Sequence, residues 1–360
     1  MSLFVILAAL FVLITSLLLV PLTIRISNRL KIQAHPDPRK IHNTQIPEAG
    51  GLSFGLPILL AQTVLGVFWY QEYGLLLPGL AAAGFLALIF GVLDDRFELK
   101  PWPKLGGYLV LCVVLYLLGY KVTYLTNPFG TELYLGWLSF PVSIIWFLAI
   151  INAINLIDGI DGLAAGITVI VCAVLTFVGI MYKNMLVISI ATMLLAGNLS
   201  FLKYNFAPAR IFMGDTGATF IGLNLAAITT AGESQYKGIT SMTLMIPLAV
   251  MAVPMLDVVL AVFRRLRRGG VFTADKAHIH HAMLGMGLSH RAISIIVYIV
   301  TLLFGLIAIG FSFTGKQVLF LLLLSLLSLM VVLAYILMRQ ELKNEKDTTW
   351  HTDSRPKPRP

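Results

Sequence analysis

The chain has 360 residues, 58% of them hydrophobic and only 12% charged, with 26 Lys+Arg against 17 Asp+Glu for a net charge of +9. That charged share is about half the usual ~25% of a globular protein, so the chain cannot clothe itself in polar surface and needs a bilayer to solvate most of it. Cys112 and Cys172, both inside apolar runs, exclude a disulfide scaffold and a cysteine-based zinc site. In such a chain the positive balance speaks through its distribution along the loops, and no nucleic-acid partner is implied.

Apolar runs long enough to cross a bilayer as helices fall near 3–23, 50–70, 75–93, 104–120, 137–155, 161–181, 184–202, 211–229, 240–262, 292–312 and 318–338. The runs do not alternate as β-barrel strands would. The expected fold is therefore all-α and polytopic, with about 11 transmembrane helices in one membrane domain over 1–340. A polar tail over 341–360, with Pro356, Pro358 and Pro360 at its end, has the composition of a disordered segment. The first run does not read as a cleavable signal peptide, because the first basic residue, Arg25, follows it instead of preceding it.

Basic residues orient the spans. With the N-terminus outside and the C-terminus cytoplasmic, 22 of the 26 Lys and Arg fall on inner segments, and Lys121, Lys183, Lys237 and Lys316 fall outside. The same threading places 14 of the 17 acids inside, although the acids did not set it. Asp94 and Asp95 close the third run, Asp158 and Asp161 lie between the fifth and sixth, Asp215 opens the eighth, and Asp257 lies in the last turns of the ninth. Acids at a membrane boundary are costly without partners, so their gathering at one depth points to a functional site, although acids that cap helices or pair with the inner Lys and Arg would gather there too.

Each motif has its own chemistry. In Gly91-Val-Leu-Asp94-Asp95-Arg96 adjacent carboxylates point to different helix faces, although paired Asp also ends ordinary helices. Pro101 and Pro103 stop that helix and can bring Lys104 back over the acids, where it suits phosphate as a point charge. Asn155, Asp158 and Asp161 are interrupted by Gly159 and Gly162. Glycine breaks free backbone N–H groups for an anion at the start of the next helix, and the oxygen side chains suit Mg²⁺. Asp215 sits between Gly214 and Gly217 at a helix start, either as a ligand or as a simple cap. Arg264, Arg265, Arg267 and Arg268 lead to His278, His280 and His281. That group suits anionic oxygens better than zinc, although the arginines alone also fit inner-face anchoring.

Taken together, LDDRFELKPWPK at 93–104, NAINLIDGIDGLAAG at 152–166, FMGDTGATFIG at 212–222 and DKAHIHHAMLGMGLSHR at 275–291 resemble the polyprenyl-phosphate N-acetylhexosamine-1-phosphate transferases. This is the bacterial membrane family (glycosyltransferase family 4) that begins teichoic acid, O-antigen and related polymers. The HIHH form resembles the branch using UDP-N-acetylglucosamine, and the whole is most similar to the enzymes that start the teichoic acid linkage unit. The resemblance implies transfer of N-acetylglucosamine 1-phosphate from UDP-N-acetylglucosamine to undecaprenyl phosphate, with release of UMP. It places the chain in the bacterial plasma membrane with the site facing the cytoplasm, and it allows a homodimer.

On matching positions the resemblance implies Mg²⁺, replaceable by Mn²⁺, held chiefly by Asp215 with Asn155 or Asp158 assisting. Lys104 would meet phosphate and Asp161 the N-acetyl sugar. His280 and His281, with His278 beside them, would meet the diphosphate or sugar end, and Asp94 and Asp95 would handle the attacking lipid phosphate. Ala218 stands where a hydroxyl residue is usual and Tyr108 where glutamine is common. The sequence leaves open direct attack against a covalent aspartyl intermediate. Two other functions stay in view. The same chemistry could act on another UDP-sugar, as in peptidoglycan-precursor translocases. A secondary transporter would instead need acids near the midplane and an inverted repeat.

Overall fold

The computed structural model describes residues 3–34, 46–125, 133–231, 251, 255, 283–284, 287–310 and 321–328. The helices are α1 (Leu3–Leu30), α2 (Gly51–Phe68), the one-turn α3 (Tyr70–Tyr73), α4 (Leu76–Phe97) and α5 (Pro101–Leu117). They continue with α6 (Ser139–Ile157), α7 (Leu163–Met181), α8 (Met185–Asn205), α9 (Gly214–Thr230) and α10 (His290–Gly310). Two antiparallel ribbons complete the described chain, β1 (Gln33–Ala34) with β2 (Ile46–Pro47), and β3 (Tyr124–Leu125) with β4 (Leu133–Tyr134).

Nine of the expected runs correspond to described helices, and the runs at 240–262 and 318–338 lie outside the described residues except for 251, 255 and a helical piece at 321–328. Among the described residues seven helices are long and apolar enough to cross a membrane, so the protein is a multi-pass, mostly helical membrane protein. The other two, α5 and α9, have 17 residues each, which at 1.5 Å per residue is about 25 Å, slightly short of a ~30 Å hydrocarbon layer.

Burial separates lipid-facing from central helices. On α1, Phe4, Leu7, Phe11, Ile14 and Leu18 are exposed, and Val5, Val12, Ser16 and Val20 are buried. In water such an apolar face would be an association surface; hydrocarbon solvates it. By contrast, every residue of α9 from Thr216 to Thr230 is buried. A helix covered all round belongs at the centre of a bundle, and α9 packs against α2, α4, α5, α6 and α8.

Small residues make that central position reachable. Gly91 of α4 lies so near the Thr216 backbone that a Cβ would overlap it, and Gly51 meets Gly217 in the same way. Close backbone approach through small side chains is how helices associate where lipid removes the hydrophobic drive. Beneath this contact the Phe54 ring meets Phe201 at 5.4 Å and Phe220 at 6.3 Å between centroids. Two polar bridges hold α9 deeper down: Gln62 Nε2 donates to Asn224 Oδ1 at 2.7 Å, and Trp146 Nε1 to Thr229 Oγ1 at 2.9 Å. The pairing relieves polar groups that would be costly in an apolar interior.

Gly91→Val should therefore force α4 and α9 apart, costing about 1–3 kcal/mol. Thermal unfolding in detergent checks this, with Gly106→Ala, which meets open space, expected to match the parent.

Candidate active site

The up-and-down helix path returns several breaks to one end of the bundle. The ends of α4 and α6 and the starts of α5 and α9 meet there. So does the segment Pro47–Gly51, tied to the chain before α9 by hydrogen bonds from Phe212 N–H to Pro47 O at 2.9 Å, Gly50 N–H to Phe212 O at 3.0 Å and Gly51 N–H to Met213 O at 3.1 Å.

At the centre is Asp215, the second residue of α9. Its Oδ1 accepts from Lys104 Nζ at 2.7 Å and from the Asn155 amide. Lys104 also reaches Asp94 Oδ2 at 3.0 Å, and Asp94 Oδ1 accepts the Leu99 N–H at 3.0 Å. The left-handed Glu98 that closes α4, then Pro101 at the first position of α5, turn the chain so that Lys104 faces back across the gap. Asp94 is 3% exposed, and Lys104 and Asp215 about a quarter, so the three charges depend mainly on one another for compensation. Lys104 also lies 6.0 Å from the centre of the Tyr108 ring, one turn along α5; that ring is buried and packs edge-on against Phe90.

Asp95 is used differently. Its Oδ1 accepts the Asp215 N–H at 2.6 Å, and its Oδ2 accepts both the Thr216 N–H at 3.2 Å and the Thr216 hydroxyl. Met213, in the capping position of α9, supplies no side-chain cap. Asp95, 120 residues from Asp215, performs that capping through these accepted bonds. Gly214 is held at φ +70°, and a Cβ there would run into the Asp95 carboxylate.

Asp158, just beyond α6, completes the group. Burial pushes its carboxyl well above the usual range, and the nearby carboxylates of Asp215, Asp95 and Glu48 push the same way; the facing Gly214 N–H pulls back. Glu48 was not among the residues singled out from sequence. The available signal was an acid one alanine away from the Gly50-Gly51 pair at the start of α2.

Asp161 is built into an adjoining corner. Its Oδ2 accepts the Ala209 N–H at 3.0 Å, and its Oδ1 lies 3.7 Å from His290 Nδ1. His278, His280 and His281 lie outside the described residues.

Among the described residues no three His, Cys, Asp or Glu side chains form a ready-made metal cage. The donor set nevertheless fits Mg²⁺, which takes one or two carboxylates and completes its shell with water and substrate phosphate. Asp215 and Asp158 could supply carboxylate oxygens, Asn155 an amide oxygen, and the surplus of acids supplies the attraction. With Lys104 beside them, the group can receive a diphosphate.

The profile of glycosyl transferase family 4 matches residues 77–233, which include Asp94, Asp95, Lys104, Asn155, Asp158, Asp161 and Asp215. A Bacillus subtilis (strain 168) protein named "Probable undecaprenyl-phosphate N-acetylglucosaminyl 1-phosphate transferase" is 33% identical over 299 residues, 82% of each chain. The "Decaprenyl-phosphate N-acetylglucosaminephosphotransferase" of Mycobacterium leprae is 34% identical, over 80% of this chain and 78% of its own. The "Undecaprenyl-phosphate alpha-N-acetylglucosaminyl 1-phosphate transferase" of Escherichia coli (strain K12) is 29% identical, over 76% and 74%.

Replacing Asp95 by Ala removes the cap. We expect a stability loss of about 1–3 kcal/mol, the range for bonds to a charged group, and faster hydrogen exchange at the Asp215 and Thr216 amides. Exchange mass spectrometry on the protein in lipid nanodiscs reads the second effect directly.

Proposed function

Because this chain belongs to glycosyl transferase family 4 and is a membrane-embedded enzyme of that family, we propose that it transfers N-acetylglucosamine 1-phosphate from UDP-N-acetylglucosamine to undecaprenyl phosphate and releases UMP. This would be the first membrane step of teichoic acid or another cell-surface polysaccharide. The names carried by the Bacillus and mycobacterial relatives support the polyprenyl phosphate acceptor and the N-acetylglucosamine phosphate donor. The observation that carries the proposal is the meeting of Asp94, Lys104, Asn155 and Asp215 at one end of the bundle.

In the transfer, an oxygen of the lipid phosphate attacks the phosphorus bonded to the sugar. The bond from that phosphorus to the bridging oxygen breaks, and UMP leaves with the electron pair. Such reactions depend on positioning and charge neutralisation. Lys104, held between Asp94 and Asp215, is placed to take a share of the diphosphate charge. Asp215, with Asp158 and Asn155, would hold Mg²⁺, which supplies further neutralisation on the phosphate oxygens when bound. Asp95 fixes the start of α9 and thereby the place of Asp215.

A phosphate monoester has its second pKa near about 6, so the acceptor arrives mostly dianionic and needs little help from a base. Direct displacement is the better supported route, since the Asp94 and Asp95 oxygens are already engaged with Lys104, Leu99 and the start of α9. His278, His280 and His281 are assigned to the diphosphate or sugar end, and Asp161 to the N-acetyl sugar. The basic residues support eleven spans with the N-terminus outside and the site facing the cytoplasm, where nucleotide sugars are made.

The purified protein with undecaprenyl phosphate and Mg²⁺ should convert a panel of UDP-sugars selectively, giving UMP and lipid-linked N-acetylglucosamine phosphate in equal amounts. Failure with UDP-N-acetylglucosamine but turnover of another UDP-sugar would overturn the donor assignment. Asp215→Asn and Lys104→Ala should each lower exchange of labelled UMP into the donor by on the order of 10²–10³-fold, the scale of losing one charge-stabilising group. Parent-like exchange in either would remove that residue from the site. The His280→Ala, His281→Ala double variant should lose donor binding, read by calorimetry.

A further inference from the structure

Where the start of α2 meets the end of α4, the bundle carries an open apolar groove. Leu52 and Leu56 form one wall, Phe85, Ile89 and Leu93 form the other, and the cavity between them has a volume of about 200 Å³. Leu56, Phe85, Ile89 and Leu93 are exposed toward lipid, whereas Leu88 is buried. Leu88 lies low because Gly55 of α2 has no side chain; a Cβ there would come within 2.7 Å of a Leu88 methyl. One row of α4 is thus sunk into α2, and the groove remains above it. From Phe85 to Leu93 the wall runs about 12 Å, most of one leaflet of a ~30 Å hydrocarbon layer.

The groove ends in positive charge. Arg96 follows Phe85, Ile89 and Val92 on the same face of α4, at the spacing that 3.6 residues per turn sets. It is exposed, and its Nη1 donates to Lys31 O at 3.1 Å. That bond brings the end of α1, with the exposed Arg29 and Lys31, to the groove mouth. The start of α2 is tied to the same place, since the Glu48 N–H donates to Ile32 O at 3.1 Å and Ser27 Oγ to Glu48 O at 2.7 Å. The Glu48 carboxylate itself acts on Asp95 and Asp158 in the site. Beyond α4 the exposed Glu98 and Lys100 offset one another, so among the described residues Arg29, Lys31 and Arg96 set the sign at the mouth.

We propose that this groove holds a bilayer phospholipid with a net negative headgroup. One acyl chain lies along Phe85–Leu93, and the phosphate meets Arg96, whose planar guanidinium suits phosphate oxygens. The occupant is distinct from the reacting acceptor. At 100° per residue, Arg96 stands about 160° round α4 from Asp94, and Asp94 is the residue bridged to Lys104. A phosphate at Arg96 therefore lies on the far side of α4 from the Lys104–Asp215 pair. Binding here needs no turnover and stands apart from the transfer reaction.

The full chain, stripped of lipid in detergent, is titrated with dioleoylphosphatidylglycerol or dioleoylphosphatidylcholine, and native mass spectrometry reads the dissociation constant of the first bound lipid. The anionic lipid should bind about fivefold more tightly or better, the scale of one basic residue at an anionic lipid surface. Arg96→Gln should remove that preference. Lys203→Gln, which removes another exposed cation at the end of α8, should keep it. Ile89→Trp, which fills the groove from a lipid-facing position, should weaken the anionic lipid by a similar factor and leave KM for undecaprenyl phosphate within about twofold. Thermal unfolding checks that each variant is folded, and Leu56→Trp blocks the groove from α2 if Ile89→Trp is not. Equal affinity for the two lipids, a parent-like preference in Arg96→Gln, an equal loss in Lys203→Gln, or parent-like binding in the groove-filling variant would each overturn the proposal. So would a rise in KM matching the loss of lipid, which would give the groove to the acceptor. A parent that makes no product removes the transfer reading alone, and the lipid titration still decides the groove.

Discussion

The site depends on how the start of α9 is satisfied. The first N–H groups of a helix have no partner within it, and Thr216 at this helix start is fully buried, away from water. Here the Asp95 carboxylate takes two of these groups, and Asp158 faces a third at Gly214. These two acids thus join α4, α6 and α9 at one point. Asp215, carried on the same first turn, is delivered to Lys104 and Asn155 as a consequence of that capping. The capping of α9 and the placing of Asp215 therefore depend on one set of acids and cannot be varied independently.

A cap made across 120 residues works only if the helices approach closely. The glycines at 51, 91 and 217 allow backbone-to-backbone contact, and the buried Gln62–Asn224 and Trp146–Thr229 bridges keep α9 in register further along. Because α9 is buried on all sides, displacement at its start has no soft direction in which to relax. That rigidity favours a reaction in which positioning does most of the work. It also gathers the carboxylates of Asp215, Asp95 and Glu48 around Asp158. The α6–α7 turn is where the two corners join. Asp158 faces the α9 start, and three residues later Asp161 faces α10 and the chain after α8. One glycine-broken turn therefore connects the corner of Asp215 and Lys104 to the corner of Asp161, so its orientation bears on both.

Much of this was legible in the sequence. Apolar length marked nine of the helices now described, since hydrocarbon thickness imposes a length that a reader can count. The acids and Lys104 could be assigned to one depth because charge is expelled from the apolar runs and collects at their ends. Tertiary structure alone decided which acid does what. Asp94 and Asp95 are neighbours in sequence, yet one pairs with Lys104 and the other caps a helix, because adjacent side chains on a helix point 100° apart and meet different partners. Glu48 went unmarked for the same reason: its significance comes from Asp95 and Asp158, residues far along the chain. Hydropathy and charge are properties of a segment and can be read from its composition; the partner of a side chain is a property of packing, and only the folded bundle determines it.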